Sequence, residues 1–284
     1  MGKFFNITIK PTIKASDQHN GAFSAHDLLW DWTKFNIPKG GGCLRGVTAL
    51  IRGADGAAQT ARDLVVYFAE ASEDGTAPTS LGAEHATVNG VGYYNNLVGG
   101  INMDANDNIG SLDYMNVMST GGGGGGDQIP FINLTGKPNL TKDGFNSLYI
   151  GGIVGAAGDW SFSTNVLTTG ALDVSEIATQ ASIDSLDDGS GGSALATKKF
   201  AVGDIIHAQD DIIIGEVTAV NATDLTFRHD GNKQYHANGE VLYEAPANLT
   251  AWKIQNGADA AGDLANNDEL YNINPITMIL HFEH

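Results

Sequence analysis

Residues Phe200–Tyr243 read FAVGDIIHAQDDIIIGEVTAVNATDLTFRHDGNKQYHANGEVLY. Short apolar, β-rich strings alternate there with the turn signals Gly203-Asp204, Asn221-Ala222-Thr223-Asp224, Asp230-Gly231 and Asn238-Gly239. Gly, Asn and Asp supply the backbone conformations of tight turns, while Val, Ile, Thr and Phe suit the pleated surface between them. Strands this short bury one face only by curling into a small barrel or by packing on another sheet. The stretch therefore predicts a small β-barrel over 200–245, with a plausible fold and no visible chemistry.

The composition points the same way. Glycine, at 37 of 284 residues, is roughly twice its usual share, and long helical runs of Leu, Glu, Lys and Arg are missing. A hydrophobic content of 42% supports a real core and excludes global disorder. The formal charge is −18, and phosphate backbones need clustered cations, so a nucleic-acid partner is not expected. The charge is uneven, with seven Lys/Arg and three Asp/Glu in residues 1–53. A mildly basic N-terminal region suits docking on an acidic neighbour, or is chance in a short window. The acidic remainder suits a surface that resists self-association.

Cys43 is the only cysteine, so no intrachain disulfide forms; beside Gly40-Gly41-Gly42 it reads as a small apolar residue. The N-terminal MGKFFNITIKPTIKA lacks the apolar stretch of a signal peptide and alternates like a strand. No run of about eighteen apolar residues offers a membrane span. The sequons at Asn6, Asn133, Asn139, Asn221 and Asn248 read as by-products of an Asn/Thr-rich composition.

Strands are expected at Phe4–Ile9, Lys10–Ile13 with a kink at Pro11, Cys43–Arg52, Leu64–Glu70, Ser147–Val154, Trp160–Leu167, Leu249–Gln255 and Ile276–Glu283. Cys43–Arg52 and Leu64–Glu70 look like two core strands of one sheet. Asp27–Phe35 fits two patterns. Leu28, Trp30 and Trp32 alternate as in a strand, whereas Ser24 with Asp27 resembles a capping box and Leu28, Trp32 and Phe35 share a helical face. The strand is preferred. Residues 71–147 are loop-rich and hold six consecutive glycines, Gly121–Gly126.

The expected architecture is all-β: a β-sandwich, jelly-roll-like, formed by residues 1–170 and 246–284. A linker spans 171–199, and the small inserted β-barrel occupies 200–245. Two sequential domains are the alternative.

Catalytic signatures are missing: there is no Gly-x-Ser-x-Gly, His-Glu-x-x-His or Cys-x-x-Cys, and Gly136-Lys137 lacks P-loop spacing. No cofactor is expected. The best metal candidate is Asp104-Ala-Asn106-Asp107-Asn108-Ile-Gly110, where Asp104, Asn106 and Asn108 set oxygen ligands at alternating positions suited to Ca²⁺. Ile109 stands where an EF-hand needs its glycine and Met115 where it needs its glutamate, so a looser β-loop site or a plain Asx turn are the readings. His229 and His236 flank a turn and could meet across a hairpin, as a metal pair or simply as exposed histidines. Trp30, Trp32, Trp160 and Trp252 lie in apolar strands, which favours burial over a carbohydrate-binding face.

Asp31-Trp32-Thr33-Lys34-Phe35-Asn36-Ile37-Pro38, followed by Val47-Thr48-Ala49-Leu50-Ile51-Arg52-Gly53, resembles structural proteins of tailed bacteriophages, marine ones in particular. The run from Gly203-Asp204 through Gly215-Glu216-Val217 to Asn238-Gly239-Glu240 is similar to small β-domains of head and tail proteins. The resemblance implies a non-enzymatic virion component: a capsid decoration or cement protein on the capsid exterior, made in the host cytoplasm. Its partner would be the major capsid protein, and it would be a homo-oligomer, with a trimer favoured. Neither a membrane nor nucleic acid is expected as a partner. The alternative is a tail- or fibre-associated protein that binds host glycans. A hydrolase with a dispersed carboxylate pair needs no local motif and ranks last.

Overall fold

The computed structural model describes residues 3–18, 23–52, 63–72, 75–88, 94–112, 115–120, 130–156, 166–168, 172–174, 180–183, 186–187, 200–208, 213–221, 224–228, 236–237, 240–241 and 269–284. Among these the protein is all-β and antiparallel, apart from one helical turn, Ala15–Gln18 (α1), and two 3-10 turns.

With strands numbered in chain order, the first sheet runs β1 (Phe4–Ile9), β21 (Ile276–Glu283), β3 (Gly42–Arg52), β7 (Met115–Ser119), β6 (Asn108–Leu112), and β8 (Ile132–Leu134) also pairs with β3. The second runs β2 (Leu28–Pro38), β10 (Phe145–Val154), β4 (Leu64–Glu70), β5 (Leu97–Met103), and β9 (Lys137–Pro138) pairs with β10. Alternation makes the core. On β21, Ile276, Met278, Leu280 and Phe282 are buried while their neighbours are half-exposed. Leu44, Val47, Ala49 and Ile51 of β3 do the same from the first sheet, and Leu64, Val66 and Phe68 of β4 from the second. All of them join one hydrophobic cluster, so the two sheets share a core. Each large side chain buried there contributes roughly 1.5–3 kcal/mol.

The ambiguous Asp27–Phe35 segment is strand. Ser24 and Asp27 form a turn rather than a helix cap: Ser24 N–H donates to Asp27 Oδ2 at 2.7 Å and Asp27 N–H to Ser24 O at 3.1 Å. Irregular register between β2 and β10 sends Trp30 into the core and Trp32 to the opposite face. There Trp32 joins Leu28, Leu81 and Ile153, and its Nε1 donates to Thr79 O at 2.9 Å. Gly152 is required where it stands, because a Cβ would collide with the Trp30 indole.

The third sheet runs β12 (Leu172–Val174), β13 (Gln180–Ile183), β17 (Leu225–Arg228), β16 (Ile213–Val220), β15 (Ile205–Ala208), β20 (Glu269–Asn272), β11 (Val166–Thr168), β14 (Leu186–Asp187). A separate two-stranded ribbon pairs β18 (His236–Ala237) with β19 (Glu240–Val241).

Several expectations need correction. β3 and β4 belong to different sheets: each strand turns its apolar side to the shared core, and the chain changes sheet between Arg52 and Leu64. Among the described residues no sheet closes into a barrel: of the strands in the Phe200–Tyr243 stretch, β15, β16 and β17 lie in the open third sheet and β18 and β19 form the separate ribbon. That sheet draws on 166–272, so β12, β13 and β14 fall within the expected linker, a run whose apolar residues include Leu172, Val174, Ile183 and Leu186. Lys10–Ile13 is not a strand, whereas the loop-rich 71–147 contains β5 to β9 and the start of β10. Leu249–Gln255, Gly121–Gly126 and Trp160 lie outside the described residues.

Candidate functional site

The Asp104–Asn108 loop carries the chain from β5 in the second sheet to β6 in the first. Ala105–Asp107 forms a 3-10 turn with a reciprocal capping box. Asp104 Oδ1 accepts from Asn106 N–H at 2.6 Å, and Asp107 Oδ2 accepts from Asp104 N–H at 3.1 Å. Asn108 Oδ1 accepts from Gly110 N–H at 3.1 Å, and Asp63 Oδ1 from Ala105 N–H at 2.9 Å. Asp104 and Asn108, expected as ligands, thus each commit an oxygen to the backbone, and Asn106 enters through its N–H. Among the described residues no group of three or more His, Cys, Asp or Glu side chains is placed to hold a metal ion. His229 lies outside the described residues, and His236 sits on the β18–β19 ribbon.

Among the described residues, a strongly perturbed group lies elsewhere. Residues 83–88 lace onto the start of β2: His85 N–H donates to Leu28 O at 3.2 Å, Leu28 N–H to Ala86 O at 3.0 Å and Val88 N–H to His26 O at 3.1 Å. His26 and His85 both adopt left-handed backbone, φ 67° and 60°, which costs a non-glycine residue roughly 1 kcal/mol or more. The His85 ring stacks on Phe23 with centroids 3.7 Å apart, and its buried Nε2 has no hydrogen-bond partner among the described residues. Next to it, the Glu84 carboxyl is pushed up to about 9, first by burial, then by its hydrogen bond to Asp17 and that residue's charge; Asp31 adds to the rise and Lys14 opposes it. Burial and the contact with Asp17 on α1 thus favour the neutral, protonated Glu84 carboxyl. Asp17 and Glu84 are far apart in sequence and share no local motif, so no sequence signal could have found them.

A polar chain crosses the outer face of the first sheet. Ser119 Oγ lies 3.1 Å from Thr48 Oγ1, Thr48 Oγ1 lies 3.0 Å from His281 Nε2, and His281 Nδ1 lies 3.0 Å from Asn6 Oδ1. Burial lowers the His281 pKa. A neutral ring fits, donating through Nδ1 to Asn6 and accepting at Nε2 from Thr48.

The basic N-terminal residues are partly committed within the chain. Lys10 and Arg52 both pair with Asp204, and Arg45 pairs with Glu283 at 3.3 Å while stacking over Phe131. No protein-family model matches this chain, and no curated protein or solved structure matches it.

Proposed function

We propose that this protein is a non-enzymatic structural component of a virion, a decoration protein that docks on the major capsid protein. In this reading the two-sheet body is a jelly-roll-like β-sandwich, and the third sheet is a module inserted between β10 and β21. The observation that carries the reading is that two edge strands of the first sheet carry some of the exposed apolar side chains. Phe4 on edge strand β1 is 75% exposed, and on edge strand β6 Ile109 and Leu112 are 52% and 59% exposed. Edge strands with exposed apolar residues are templates for pairing with another chain unless something covers them. On a symmetric shell such contacts repeat, and weak contacts add through effective concentration.

The partial commitment of the N-terminal cations shifts the expected contact from charge towards apolar edge burial. The chain would act as a homo-oligomer, a trimer by preference, on the capsid exterior.

Co-sedimentation with expanded capsids that lack the protein tests the proposal. Saturable binding at a fixed ratio per capsomer is expected. An absence of binding, together with chelator-sensitive binding on a glycan array, would move the assignment to a tail or fibre receptor-binding protein.

A further inference from the structure

We propose that Asp204 is the key of a charge-dependent clasp that locks the third sheet onto the two-sheet body, and that the third sheet releases as one unit when the clasp opens. Asp204 belongs to a tight turn closed by Asp204 N–H to Ala201 O at 3.0 Å, with Gly203 at φ 86°. The turn holds its carboxylate between the third sheet and the body, where Asp204 is 2% exposed.

Four groups meet the carboxylate there. Lys10 Nζ, just past the end of β1, lies 3.0 Å from Oδ1, and Arg52 Nη2, at the end of β3, lies 3.5 Å from Oδ2. Ala201 N–H and Asn272 Nδ2 donate to Oδ2 at 2.7 and 2.8 Å. One buried anion thus joins two body strands to β20 and to its own turn. Backbone and amide contacts extend the seam: Gln18 Nε2 donates to Asn272 O at 2.9 Å and Asn274 Nδ2 to Pro11 O at 3.0 Å. Ile13 N–H donates to Ile273 O and Arg52 N–H to Pro275 O, each at 2.8 Å. The three residues that connect β20 to β21, Ile273, Asn274 and Pro275, are all buried in this seam.

The charge makes the seam all-or-none. Removing the anion leaves two cations facing each other at a partly buried site, and breaking a buried pair from one side costs far more than its net contribution. The amide contacts then lack the anchor that holds Asn272 and the 201–204 turn in place. Separation at this seam would leave the pairing of β15, β16 and β17 intact, as in a cooperative sub-global unit.

Hydrogen exchange on the full chain is the test, comparing Asp204→Asn with wild type. In the variant, the Ile13 amide, bonded across the seam to Ile273 O, should lose protection by roughly a hundredfold, while those of β3, β21 and the β16–β17 pair change little. Small-angle scattering should report a larger radius of gyration. Should Asp204→Asn fail to fold, Lys10→Met, at a partly exposed side chain, should give the same pattern at smaller amplitude. Equal loss of protection in all three sheets, or no selective loss at the seam, would overturn the clasp.

Discussion

Glu84 and His281 pull the pH dependence of stability in opposite directions. The folded protein holds the Glu84 proton up to about 9 against an ordinary 4.5. The native state therefore binds more protons than the unfolded chain in that interval, and stability falls as pH rises through it. Glu84→Gln keeps a donor towards Asp17 and removes the titration. Urea midpoints measured from pH 5 to 9 should decline more steeply for wild type than for the variant; parallel curves would contradict the shared proton. His281 is a base with a lowered pKa, so the native state binds fewer protons, and stability is lost as pH falls below the ordinary histidine range. An NMR titration of its ring should give a midpoint below about 6.5. A midpoint at or above that value would contradict the neutral ring between Thr48 and Asn6.

The β2–β10 pair shows how far local pattern reaches. Alternation located β1, β4 and β21 to the residue and β3 to within one, because each buries every second side chain in the shared core. It could not say which strands share a sheet, since β3 and β4 present equivalent apolar faces to the same interior. Pairing is decided by partners distant in sequence, such as Ile276 opposite Ile51 and Val154 opposite Leu64. Very short strands such as β12 and β14 were illegible for a related reason: two or three residues carry no pattern, and pairing makes them strands. The Asp104–Asn108 oxygens were legible as turn formers, and which N–H groups they cap depended on the crossing between sheets. The Gly151-Gly152 pair has a definite role against the two tryptophans. Gly152→Ala should destabilise the protein by about 1–3 kcal/mol in denaturant unfolding, because the added methyl meets the buried Trp30 ring in a close-packed core. A cost below about 0.5 kcal/mol would mean that β2 can shift to make room.

At the scale of the whole molecule, the body's strands flank the third sheet in sequence. β10 ends opposite the start of β4 in the second sheet, and β21 begins opposite the end of β3 in the first. In the proposed function, the sheet edges β1 and β6 are left for contacts with other chains. Leu112→Lys on β6 should leave stability within about 0.5 kcal/mol, as for exposed positions generally, while lowering capsid occupancy. Unchanged occupancy would exclude β6 from the contact. A low-resolution image of the assembled virion with this protein labelled decides whether the chain decorates a capsid. Label is expected in a regular array over the outer surface of the head, at capsomer boundaries. Label confined to the tail or its fibres, or missing from the particle, would rule decoration out.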